Sequence, residues 1–140
     1  MDIIDTLSVT ASGLTAQRVR MQTVAANMAN ARTTRTADGG PYRRRMPVFE
    51  SAPVDPFGNE LDMAMERVNV TEIAESDEPF VRVFDPGHPD ADGDGYVEFP
   101  NVNILEEMVD MMMTARTYEA NSNVVTVTKS MAQTAIDISR

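Results

Sequence analysis

The chain contains no cysteine and no tryptophan. Without cysteine there is no disulfide framework, no cysteine-based zinc site and no thiol nucleophile. There is one histidine, His88, and any Ser-His-Asp set would have to use it. It stands in the turn sequence Gly87-His88-Pro89 with no nucleophile motif beside it. No phosphate-binding loop, dinucleotide fingerprint, HExxH motif or zinc spacing occurs. Nothing in the sequence points to an enzyme, and neither cofactor nor metal is expected. Cations are scarce too, with 12 Lys and Arg against 22 Asp and Glu and a net charge of -10. Phosphate neutralisation needs clustered Lys and Arg, which argues against a general nucleic-acid binder. No stretch is long and apolar enough to span a bilayer. The start, MDIIDTLSVTASG, carries acids where a secretory signal needs positive charge. Export, if it occurs, is expected to proceed without a cleaved signal.

What is present is helix pattern at both ends. In residues 100–140, Asn101 and Asn103 offer a helix cap, and Glu106 and Glu107 stand in the first turn, where the helix dipole favours acids. From there Ile104, Met108, Met111, Ala115, Tyr118, Ser122, Val125, Lys129, Ala132 and Ile136 recur at steps of four and three. That is a heptad-like seam. A second stripe, Leu105, Met112, Val124, Val127, Met131 and Ile138, widens the apolar face beyond the needs of one partner helix. The triplet Met111-Met112-Met113 points in several directions and suits adaptable packing against at least two surfaces. Residues 2–30 repeat the seam with Ile4, Leu7, Ala11, Leu14, Arg18, Met21, Ala25 and Met28, interrupted by Gly13.

Between the ends the reading is β. Met46–Glu50, the Leu61–Ile73 segment, Phe80–Phe84 and Tyr96–Phe99 read as strands, separated by the Ala37–Pro41 turn, a Pro53–Glu60 loop and further prolines. The expected fold class is mainly α with a small β module. Long N- and C-terminal helices pair as a coiled coil around the inserted β-rich domain. The divisions are 1–36, an N-terminal coiled-coil helix; 37–99, a loop and β-rich domain; and 100–140, a C-terminal coiled-coil helix. A β module this small is marginal on its own, so the terminal segments are expected to order fully only on assembly.

Charge is segregated. Residues 16–46 hold seven Arg and one acid, whereas residues 60–107 hold fourteen acids and two Arg. Two readings stand: solvated faces, or patches that meet between neighbouring copies, with Arg32, Arg35 and Arg43–Arg45 pairing with a neighbour's acids. The run Asp90-Ala-Asp92-Gly-Asp94-Gly95 resembles the first half of a calcium loop. Asn101 at its twelfth position and the flanking Pro86 and Pro89 favour an acidic turn between strands. A soluble coiled-coil adaptor and a weak calcium-binding module remain the alternative functions.

The sequence Asn27-Met-Ala29-Asn30-Ala-Arg-Thr33 carries the Ala-Asn-x-x-Thr signature of bacterial flagellar rod and hook axial proteins. Further blocks follow in order: Thr33-Thr34-Arg35, Gly40–Arg44, Asp85–Asp92, Gly95-Tyr96-Val97, Pro100–Asn103 and Arg116–Asn121. Through them the chain resembles that family, and its proximal-rod subunits in particular. The resemblance implies a structural subunit of the basal-body rod, the periplasm-spanning drive shaft that transmits torque. It implies terminal helices that stack with those of other copies and other rod proteins, and an outward β module. Export through the flagellar type III apparatus follows from it, and the membrane ring and its adaptor are further partners. No nucleic acid and no membrane span are involved. Expected interface residues are Leu7, Leu14, Met21, Asn27, Met28, Asn30, Thr33, Ile104, Met108, Met111, Ala115, Tyr118, Glu119, Asn121, Val125 and Ile136. Asn27, Asn30, Tyr118, Glu119 and Asn121 among them are expected to fix helix register.

Overall fold

A computed structural model describes residues 3–54 and 65–138; part of the expected Pro53–Glu60 loop and the start of the Leu61–Ile73 segment lie outside them. The order of elements is α1 (Ile3–Ala29), β1 (Arg45–Pro53), β2 (Glu66–Glu75), β3 (Val81–Phe84), β4 (Tyr96–Phe99) and α2 (Ile104–Ile138). At its 35 residues, α2 is roughly 50 Å long.

Local chemistry sets the helix ends. Asn103 is the cap of α2: its Oδ1 accepts from Leu105 N at 3.1 Å, and its Nδ2 donates to Glu106 Oε1 at 2.9 Å. Asn30 closes α1, donating from Nδ2 to Ala26 O at 2.9 Å. Thr33 then folds back, its N donating to Asn30 O and its Oγ1 to Asn30 Oδ1.

The helices run antiparallel. Gly13 lies against Asn121, Arg20 reaches Asp110, and Asn27 reaches Glu107. A Cβ on Gly13 would come within 3.2 Å of the Asn121 amide nitrogen, the far end of a side chain on the opposite helix. The contact face is built of small and polar residues. Ala16, Thr23, Val24 and Asn27 are buried on α1, and Glu107 and Thr114 on α2. The buried hydroxyls are satisfied within their own helices, Thr23 donating to Val19 O and Thr114 to Asp110 O. This stripe is offset from the expected seam: Ile4, Ala11, Arg18 and Ala25 are exposed, while Leu7, Leu14, Met21 and Met28 are half-buried. Small residues pack backbones closely, and the larger apolar side chains are left on the flanks.

Two antiparallel ribbons make up the β module, β1 with β2 and β3 with β4. In the first, the register shifts after Val48, where Thr71 is the extra residue on β2 and its Oγ1 donates to Val48 O. This ribbon lies on α1, with Val68 N donating to Ser12 Oγ at 3.1 Å. In the second, the turn before β4 depends on Gly95, at φ +80, where a Cβ would come within 3.0 Å of the Phe84 ring. Phe84 and Tyr96 meet edge to face, and Val97 is buried.

Among the described residues the buried apolar side chains are only Ala16, Val24, Ala31, Tyr42 and Val97, besides Pro100. The accessible surface is 9732 Å² for 15.4 kDa, against about 7200 Å² for a compact monomer of that mass.

Candidate assembly interface

A buried, hydrogen-bonded junction lies where α1, α2 and the arginine-rich segment before β1 converge. Asn27 sits there with its amide fully used. Its Nδ2 donates to Arg45 O at 2.8 Å and to Glu107 Oε2 at 3.0 Å. Its Oδ1 accepts from Tyr42 OH at 2.9 Å and from Arg45 N at 3.0 Å. Glu107 is 0% exposed, and its other oxygen accepts from Arg44 Nε at 2.7 Å. Arg44 N donates to Asn101 Oδ1, and Asn101 Nδ2 donates on to Glu78 O. One buried acid thereby ties the end of α1, the 42–45 segment, the link before α2 and the first turn of α2. A buried ion pair adds little net energy, but removing one partner strands a charge. Its value is to fix a single arrangement.

The electrostatics agree. Burial pushes the Tyr42 phenol above its ordinary value; Arg45 opposes this, and the charges of Glu75 and Glu107 add to it. Burial alone would lower the Arg44 guanidinium, yet the hydrogen bond and charge of Glu107, with Asp110 and Glu106 behind it, hold it above its usual range. Arg44 is firmly a cation.

Several readings are corrected here. Glu107 is not merely a dipole-compensating surface acid, and Asn101 is not a cap but a junction residue. Arg35, Arg44 and Arg45, which one of the two charge readings paired with a neighbour's acids, pair within the chain with Asp90, Glu107 and Glu75 at 3.8, 2.7 and 3.2 Å. Arg43 stacks over the Phe80 ring at 4.4 Å and donates to Ser76 O. Two acids of the calcium-like run, Asp90 and Asp92, are engaged with protein donors. Asp92 Oδ1 accepts from Asp94 N and Tyr96 N, and its Oδ2 accepts from Arg82. Those backbone bonds above all hold its carboxyl below the usual range. Asp90 accepts from Thr34 Oγ1. Among the described residues no group of three His, Cys, Asp or Glu is placed to hold a metal.

The other expected interface residues spread along the helices. Asn27 is in the junction, and Asn30 and Thr33 form the turn after α1. Met111, Ala115, Asn121 and Val125 are half-buried on α2; Ile104, Met108, Tyr118, Glu119 and Ile136 are exposed. Exposed alongside them are Leu105, Val109, Met112, Met113, Val124, Val127, Met131 and Ile138, from 46% at Val124 to 81% at Ile138. Among the described residues no helix is long and apolar enough to cross a membrane.

Comparison with known proteins converges on the same segments. Residues 7–35 match the family model of the flagella basal body rod protein. Residues 94–138 match that of the flagellar basal body rod FlgEFG protein C-terminal region. The flagellar basal-body rod protein FlgC of Bacillus subtilis is 41% identical over 151 positions, covering 100% of both chains. FlgC of Borreliella burgdorferi is 42% identical over 149, covering 99% of this chain and 98% of its own. FlgC of Aquifex aeolicus is 44% identical over 131, covering 94% and 92%. The chain belongs to the FlgC family of flagellar basal-body rod proteins. It is accordingly a structural subunit of the basal-body rod, not an enzyme, and it assembles with other rod components. Asn27 falls in the first matched segment, and Asn101 and Glu107 in the second, so the junction joins the two stretches that define membership. Tyr42 and Arg44 lie between them, in a run whose density of arginine gave no local hint of a partner more than sixty positions away.

Proposed function

We propose that this FlgC-family chain polymerises through the outer faces of α1 and α2, which pack against the same helices of neighbouring copies and of other rod proteins to build a torque-bearing shaft. The observation that carries this is the inversion of α2. Small and polar residues face α1, while Leu105, Met112, Met113, Val127 and Met131 stand 57–73% exposed. A contiguous apolar face of this length is tolerated only where another surface covers it. Contacts that repeat head to tail without closing generate a helical tube, which suits a rod. The chain divides as 1–36, 37–99 and 100–140, with the β module outward. It travels through the flagellar type III apparatus without a cleaved signal and takes its place in the periplasm, where the membrane ring and its adaptor are its neighbours.

The absence of native cysteine makes the test clean. Met112→Cys, Val127→Cys and Met131→Cys variants are expressed singly in a strain lacking the native chain, basal bodies are purified, and a short thiol cross-linker is applied. The helix positions are expected to give multimers that include this chain, and Glu98→Cys on β4 is not. Basal bodies that contain the helix variants only as monomers would overturn the reading.

A further inference from the structure

With no cysteine in the chain, the thioethers of its 11 methionines are its only oxidisable sulfur. Those on α2 are unequally presented. Met108, Met112, Met113 and Met131 are 47%, 59%, 62% and 67% exposed, whereas Met111 is half-buried. Met46 supplies an internal contrast. It is 38% exposed, but its sulfur accepts a hydrogen bond from Arg44 Nη1 at 3.3 Å, so one lone pair is engaged.

We propose that Met108, Met112, Met113 and Met131 form a reversible oxidation site that blocks addition of the free subunit to the rod. In the reaction a peroxide delivers one oxygen atom to the thioether. An S–O bond forms as the O–O bond breaks, two electrons pass from sulfur to the peroxide, and water leaves. The product sulfoxide is polar and chiral where the face was flexible and apolar, and such a group is costly to bury against a neighbouring helix. Methionine sulfoxide reductases, taking electrons from a dithiol, reverse the change. Once the face is covered in the shaft, the same sulfurs are shielded. A subunit is thus vulnerable before incorporation and protected after it. This rests on the outer α2 face being the assembly surface.

The experiment has two arms. The purified full chain is treated with graded hydrogen peroxide, and sulfoxides are located by peptide mass spectrometry, in parallel with purified basal bodies. Met112, Met113, Met131 and Met108 are expected to react before Met111 and Met46 in the free chain and to be protected in the rod. Uniform oxidation of the free chain overturns the site; equal oxidation in free and assembled chain overturns the underlying assembly reading. In the second arm, cells resuming flagellar assembly receive a peroxide pulse. Incorporation is scored in each strain as pulsed relative to unpulsed cells: wild type is expected to lose it, and the M108L/M112L/M113L/M131L variant, whatever its unpulsed level, to show the same incorporation with and without the pulse, since leucine carries no oxidisable sulfur. Equal incorporation of oxidised wild type, or equal loss in the variant, overturns the proposal and leaves the assembly reading standing.

Discussion

Asn27 Nδ2 donates to Glu107 Oε2 at 3.0 Å across 80 positions of sequence, inside a junction where neither side chain meets solvent. The acid's second oxygen is held by Arg44 and the amide's oxygen by Tyr42 and Arg45. Each group is satisfied only while the others are in place. That mutual dependence makes the junction sensitive to single changes.

Glu107→Ala is expected to destabilise the chain by about 3–5 kcal/mol, since it strands the Arg44 charge. Asn27→Ala should cost about 1–3 kcal/mol for each polar partner left unsatisfied. The double variant should fall short of the sum by roughly 0.5–3 kcal/mol, because the two share partners. Urea unfolding of the four purified chains measures all three quantities. Additive losses would mean that the two residues act independently.

At Gly13 the sign of the effect depends on the size of the substituent. Alanine raises helix propensity by about 1 kcal/mol, and the atom its Cβ meets at 3.2 Å is the far end of the Asn121 side chain. Gly13→Ala should therefore be neutral or mildly stabilising in thermal unfolding. Gly13→Val carries two more carbons into the helix contact and should lower the melting temperature.

The pH dependence follows from Tyr42. In the unfolded chain the phenol ionises near its ordinary value of 10.0, and in the folded chain only above it. Its contribution to stability is full below pH 10 and is lost as pH rises toward and through the folded value. Tyr42→Phe should remove this alkaline component from a stability-versus-pH curve. On the acid side, Asp92 ionises below its ordinary value of 3.8 in the folded chain. Its contribution is present above that pH and is lost as pH falls through the folded value, and Asp92→Asn should flatten that limb.

Tyr118 tests function beside folding. It is 37% exposed, so Tyr118→Ala also removes contacts within the chain, and swimming is scored alongside the thermal stability of the purified variant. Losing an aromatic anchor from an interface costs about 2 kcal/mol or more, enough to impair rod assembly and swimming at unchanged expression. Normal motility in this variant would remove Tyr118 from the interface.

Much of the fold was legible because local signals agree. Asn103 with Glu106 marks the start of α2, the Asn30–Thr33 motif marks the end of α1, and alternating Val68-Asn69-Val70-Thr71 lies in β2. Heptad counting was less informative about the helix contact, because it weights large apolar residues. Here the buried stripe is Ala16, Thr23, Asn27, Glu107 and Thr114. Glu107 was hidden by its neighbour: in a first turn, Glu106-Glu107 reads as paired dipole acids, and nothing local distinguishes the one that turns inward. The arginines were similarly ambiguous, since their partners at Glu75, Asp90 and Glu107 lie thirty or more positions away.

The antiparallel arrangement also bears on the order in which the helices come together. Bringing Asn27 to Glu107 closes a long loop, and the entropy of that closure grows only with the logarithm of its length. After it, each contact farther from the junction, first Arg20 with Asp110 and then Gly13 with Asn121, adds a short segment to a pair already begun. The helices can close as a zip does, from a slider set at the junction. Their far ends are the last to join and the first to part, and there Met131 and Ile138 stand 67% and 81% exposed.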